Sequence, residues 1–132
     1  MANTTTKQEA ENNGYSRAFI SMTGAVTEDM VLNGYESSAT PVIEAGSYNL
    51  LGMATFHVYN PNVDEKEYDE FIIFTEEGTF KTSSKPLSNS LNGILKICED
   101  FKKEPPFPIV VNEKKSKNNS GNMKLASLNY NK

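Results

Sequence analysis

The sequence predicts a mainly β domain with one principal helix, and three features of the chain lead there. Apolar and polar side chains alternate along residues 15–23 and 47–60, the two-residue period of a half-buried strand. One stretch, starting at Ser84, changes to a helical period. At 132 residues and 37% hydrophobic, with seven Phe and six Tyr, the chain can bury one core without disulfide or metal staples.

Taken in order, residues 1–13 are polar and without period, and a flexible tail is expected there, ahead of a single domain over 14–132. "YSRAFISMT" (15–23) sets Ala18, Ile20 and Met22 against Arg17, Phe19, Ser21 and Thr23, a first strand. Residues 24–46 carry turn signals at Asn33-Gly34 and Pro41 and read as a long connection, with Val42-Ile43 extended. "SYNLLGMATFHVYN" (47–60) reads as a long strand. Leu50, Gly52, Ala54, Phe56 and Val58 make its apolar face; Leu51, Met53, Thr55, His57 and Tyr59 make a mixed one. "FIIFT" and "TFKTSS" flank the turn "EEG", so 68–84 is a hairpin.

Leu87, Leu91, Ile94, Leu95, Cys98 and Phe101 then line one face of a helix. Ser84 suits its N-cap and Pro86 its first turn, where a backbone N–H has no partner to lose. "EPPFP" (104–108) ends it, and strands at 107–113 and 122–130 flank the basic loop "KKSKNNSG" (114–121). A helix after the third strand, followed by two closing strands, is the order of a five-stranded antiparallel Greek-key barrel of the OB type.

Charge is unevenly placed. Residues 1–80 hold 3 basic and 13 acidic side chains; residues 81–132 hold 10 basic and 4 acidic. A chain of net charge −4 can thus still present a basic face to a polyanion. A single cysteine, Cys98, excludes an intramolecular disulfide. No apolar run is long enough to span a membrane, and the start lacks the basic and apolar segments of a signal peptide, so a cytoplasmic location is expected.

Catalysis finds little support. His57 is the only histidine and no triad pattern surrounds it; Cys98 falls on the helix's apolar face. No calcium loop, phosphate loop or dinucleotide fingerprint is present. No cofactor and no metal site are expected, and the chain is not expected to be an enzyme.

The basic elements say more. On an OB-type barrel the last loop rims the oligonucleotide groove, and here it carries Lys114, Lys115 and Lys117. Lysines neutralise phosphates without fixed base geometry. Arg17, His57, Lys81, Thr82, Ser83 and Lys85 join them as candidate contacts. Phe19, Tyr59 and Phe80 stand open between stacking on bases, worth about 1–3 kcal/mol each, and packing in the core. Phe56, Phe71, Phe101 and Phe107 are expected in the core.

Three stretches resemble the small single-stranded DNA-binding proteins of bacteriophages: "AFISMTGA" (18–25), "FIIFTEEGTFKTSSKPLSNSLNGILKI" (71–97) and "IVVNEKKSKNNSGNMKLASL" (109–128). The resemblance implies an OB-like fold, sequence-tolerant binding of single-stranded DNA during phage replication, and no catalysis. It implies contacts at Phe19, Phe80, Lys81, Lys114, Lys115 and Lys117, with replication proteins as further partners in the host cytoplasm. The ending "SLNYNK" departs from bacterial single-strand binders, which recruit partners through an acidic tip. The competing expectation is a non-catalytic protein-interaction or phage structural module. A nuclease is the weakest reading, and monomer and homodimer are both compatible with the sequence.

Overall fold

The computed structural model describes residues 16–35, 40–59, 67–115 and 122–130. The expected tail at 1–13 and most of the loop at 114–121 lie outside them. The elements run β1 (Ser16–Gly24), α1 (Glu28–Tyr35), β2 (Gly46–Tyr59), β3 (Glu67–Thr75), β4 (Gly78–Thr82), α2 (Lys85–Asp100), β5 (Phe107–Lys115) and β6 (Asn122–Leu128).

The fold is mainly β, and every strand ladder is antiparallel. Among the described residues the expected five-stranded barrel is corrected to six strands in an open sheet of order β4-β3-β2-β5-β6, with β1 on β2. Among the described residues no ladder joins β4 to β6. The helix expected between the third and fourth strands lies between β4 and β5, because the 68–84 hairpin contributes two strands.

β2 is the joint of the sheet. Leu50 pairs with Thr75 of β3 and with Phe107 of β5, so β3 and β5 flank β2 on opposite sides. Residues 52–59 pair with β3 on one side and β1 on the other. β5 and β1 therefore share one edge of β2 end to end, which a strand of 14 residues is long enough to allow. Between those two stretches the β2–β3 register shifts at Leu50/Gly52, a bulge. The Leu51 carbonyl there accepts a hydrogen bond from Ala25 N–H at 2.9 Å, just past the end of β1.

The bulge changes which face each side chain takes. Leu50 and Met53 pack with the α2 core; Leu51, Ala54 and Phe56 pack with the core under α1. The single apolar face expected for Leu50, Gly52, Ala54, Phe56 and Val58 is thus split between two faces. Both sides of β3 are buried as a result, Phe71 and Ile73 toward α2 and Ile72 and Phe74 toward α1.

Each helix follows from local chemistry. Ser84 Oγ accepts from Leu87 N–H at 3.2 Å, capping α2, and Pro86 stands in its first turn. Leu87, Leu91, Ile94, Leu95 and Cys98 are buried as their spacing predicts. Phe101 is the exception: it is the C-cap and 70% exposed, because the helical period ends before its ring turns inward. Ser90 Oγ accepts from the Ala126 N–H at 3.0 Å, tying α2 to β6. α1 is the element the sequence reading left as a connection. Thr27 Oγ1 accepts from Met30 N–H at 3.2 Å, and Glu28 and Asp29 stand in its first turn, where the helix dipole favours acids.

Two glycines predict opposite outcomes. A Cβ on Gly52 would collide with Val26 and with the Thr23 carbonyl, so Gly52→Ala should destabilise by about 1–3 kcal/mol through overpacking. Gly93 faces open space in mid-helix, so Gly93→Ala should stabilise by about 1 kcal/mol. Urea denaturation of the two variants beside the parent measures both.

Candidate nucleic-acid interface

β3 begins at Glu67, but β4 ends at Thr82, opposite Phe71. Residues 67–70 therefore run on past the end of β4, and an open cleft of about 950 Å³ lies along them. Its far wall is the β4–α2 joint, Lys81 to Lys85, and β6 reaches it through Lys124. The joint is rigid for a local reason: Thr82 Oγ1 accepts from Ser84 N–H at 3.1 Å, and Ser84 in turn caps the helix. Segment 41–43 fixes the other edge of β4, with Ile43 N–H donating to the Lys81 carbonyl at 3.0 Å and Lys81 N–H to the Pro41 carbonyl at 2.9 Å. The expected extension of Val42-Ile43 is this short parallel contact.

Of the predicted residues, His57, Lys81, Thr82, Ser83 and Lys85 line this cleft. Thr82 is buried, and its hydroxyl already serves Ser84, whereas Ser83 is exposed. Lys81 is half-buried and Lys85 Nζ lies 3.5 Å from Asp69 Oδ2.

The other predicted residues lie elsewhere. Phe80 packs against the α2 core, its ring edge-to-face with Tyr48 at 5.2 Å, because Ile73, its partner on β3, faces that core. Of stacking and packing, the two roles open to Phe80, the contact seen is packing. Arg17 and Phe19 pair with Val58 and Phe56 and share the opposite sheet face from His57. Arg17 Nη2 sits 2.8 Å from Glu70 Oε1, both side chains about nine-tenths buried. Phe19 meets Phe56 edge-to-face at 5.8 Å and is half exposed. Tyr59, half-buried, ends β2 opposite Glu67. Lys114 is exposed near the end of β5, on the outer face with Met123. Lys115 is described by its backbone alone, and Lys117 lies outside the described residues.

Two cleft residues escaped the sequence reading. Lys124 pairs with Glu113 in register with Val111↔Ala126, on the α2 side of the sheet; the alternation Lys124, Ala126, Leu128 was its signal. Tyr68 sits on the exposed extension of β3, half-buried. It stands among Glu67, Asp69 and Glu70, a run with no motif to mark it.

The electrostatics are mixed. His57 Nδ1 lies 3.1 Å from Asp69 Oδ1 and Nε2 lies 3.0 Å from Glu67 Oε1. The hydrogen bond to Asp69, then that to Glu67, holds the imidazole above its usual pKa. Asp69 is thus shared between His57 and Lys85, and Glu70 answers Arg17. Among the described residues no such carboxylate contact occupies Lys81 or Lys124, which also line the cleft. The cleft thus sets lysines, carboxylates and hydroxyls side by side. Cys98, the one thiol, is buried under α2, and desolvation pushes its pKa up. Among the described residues no cluster of His, Cys, Asp or Glu is arranged to hold a metal ion, and no helix is long and apolar enough to cross a membrane.

Comparison of the chain with family models, with curated proteins and with solved structures finds no match.

The raised imidazole pKa has a testable sign. Folding favours protonated His57, so its contribution is complete below the unfolded value of about 6.5. It is lost as pH rises through the higher folded value. The stability gap between the parent and His57→Gln should therefore be widest near pH 6 and shrink as pH rises past 7, read by urea denaturation across that range.

Proposed function

We propose that this protein is a non-catalytic binder of single-stranded DNA that coats and protects the strand with little sequence preference. One observation carries the reading: Lys81, Lys85 and Lys124, from three different elements, converge on one open cleft beside an exposed serine. Lysines so placed follow a phosphate backbone without reading bases. Tyr68 also lines the cleft, and base–aromatic stacking tolerates any sequence. The element order supports it too: β1 to β4 pair in sequence, α2 follows, and the β5–β6 hairpin returns to β2 through β5, an order related to that of an OB-type sheet. By its resemblance to phage single-strand binders, the setting proposed for this activity is phage DNA replication, in the host cytoplasm and beside replication proteins. Lys114, Lys115 and Lys117 stand close to Lys124 in the sequence and add to the positive charge of that part of the chain.

A second reading has its own observation. Glu67, Asp69 and Glu70 line the cleft with the lysines, a mixture suited to a protein surface in a non-catalytic interaction or phage structural module.

Titration of labelled oligothymidine at several salt concentrations tests the first reading. Affinity should fall steeply with salt, and Lys81→Glu/Lys124→Glu should weaken binding and flatten the slope by about 0.7 per lost phosphate contact. No binding at low salt, or affinity indifferent to salt, sinks it; a protein partner that survives the double charge reversal favours the second.

A further inference from the structure

We propose that β1 is the pairing edge of a homodimer, in which two copies of the chain join β1 to β1 antiparallel across a two-fold axis. Among the described residues β1 pairs with β2 alone, leaving its outer row of backbone N–H and C=O groups without a strand. From Phe19 to Gly24 every residue is exposed, although Phe19 leans on Phe56 and Leu95 of α2 lies close to Gly24. Phe19, Ile20 and Met22 are 50%, 52% and 42% exposed. Three large apolar side chains within four residues form a patch that a solitary soluble chain does not need.

Charge selects the occupant. In a two-fold pairing each residue meets its own copy or that of a near neighbour, so any charge on the strand is set close to a like charge. β1 carries one, Arg17, and it is withdrawn into the ion pair with Glu70. Proteins that keep an edge strand solitary place lysine, proline or inward-pointing charge on it; Phe19–Gly24 has none of these. Its one guard is the irregularity between Phe19 and Ser21, which leaves Ile20 without a partner on β2. A basic or acidic peptide would find no complementary charge here, whereas a second copy finds matching apolar side chains. The cleft along residues 67–70 lies on the far side of β2 from β1, so pairing leaves it open.

Sedimentation velocity on the full chain, without DNA, tests this over a range of concentrations. The mass should rise with concentration from 14.7 kDa to twice that value. Ile20→Lys and, separately, Met22→Lys should hold it at one chain at concentrations where the parent is paired, with unchanged far-ultraviolet circular dichroism. A parent that stays at one chain throughout overturns the proposal. So does a dimer that persists in both folded lysine variants.

Discussion

One residue inserted in β2 decides how the rest of the chain is placed. A strand presents alternate side chains to alternate faces, and β2, uninterrupted, would send Leu50, Ala54 and Phe56 the same way. The shift at Leu50/Gly52 sends Leu50 and Met53 to one core and Ala54 and Phe56 to the other. The chain therefore needs two covers, and it has two: α2 over Leu50, Met53, Phe71 and Ile73, and α1 beside Ala54, Phe56, Ile72 and Phe74. The same shift marks where β2's partner on one edge changes from β5 to β1. Glycine at 52 belongs to that change, since Gly24 and Gly52 lie opposite each other and a Cβ on Gly24 would come within 2.8 Å of the Gly52 Cα.

This division reaches the candidate site. With β2 and β3 each presenting both faces to apolar partners, the strand-borne candidates fall on different sides of the sheet. His57 and Phe80 go with the α2 face; Arg17, Phe19 and Lys81 go with the other. A single groove assembled from all of them is not available. The cleft gathers residues from both faces because it lies at an edge, where β3 outruns β4 and the chain turns into α2.

The local chemistry was legible and the sidedness was not. Ser84, Pro86 and the spacing Leu87–Cys98 announce α2, because a cap and a helical period are properties of neighbouring residues. The turn at Glu76-Glu77-Gly78 is likewise local, and Thr75 and Glu77 close it with their own hydrogen bonds. A bulge is different. It depends on which strands lie either side of β2, and nothing in "NLLGMA" distinguishes a shift at Leu51 from regular alternation. α1 was obscured by Asn33-Gly34, a turn signal that falls at the end of the helix rather than in a loop. Lys124 was not legible because Met123 and Leu125 on either side of it break the alternation, while Ala126 and Leu128 are the residues that pack on the core.

The charge segregation read along the sequence changes meaning in space. Acids of the first 80 residues and lysines of the remainder meet in the cleft rather than occupying opposite faces: Asp69 contacts His57 and Lys85, and Glu67 contacts His57. An anion entering there competes with these carboxylates for the lysines. Exposed contacts of this kind contribute little when formed, about 0–1 kcal/mol, so exchanging a carboxylate for a phosphate oxygen costs little. The carboxylates stay behind, however, and repel the incoming charge. Protonation of His57 offsets part of that repulsion by cancelling one of the two negative charges of Asp69 and Glu67, which it bridges. The imidazole thus acts on Lys85 through Asp69, the acid they share, and the electrostatic character of the cleft follows from residues that the sequence keeps far apart.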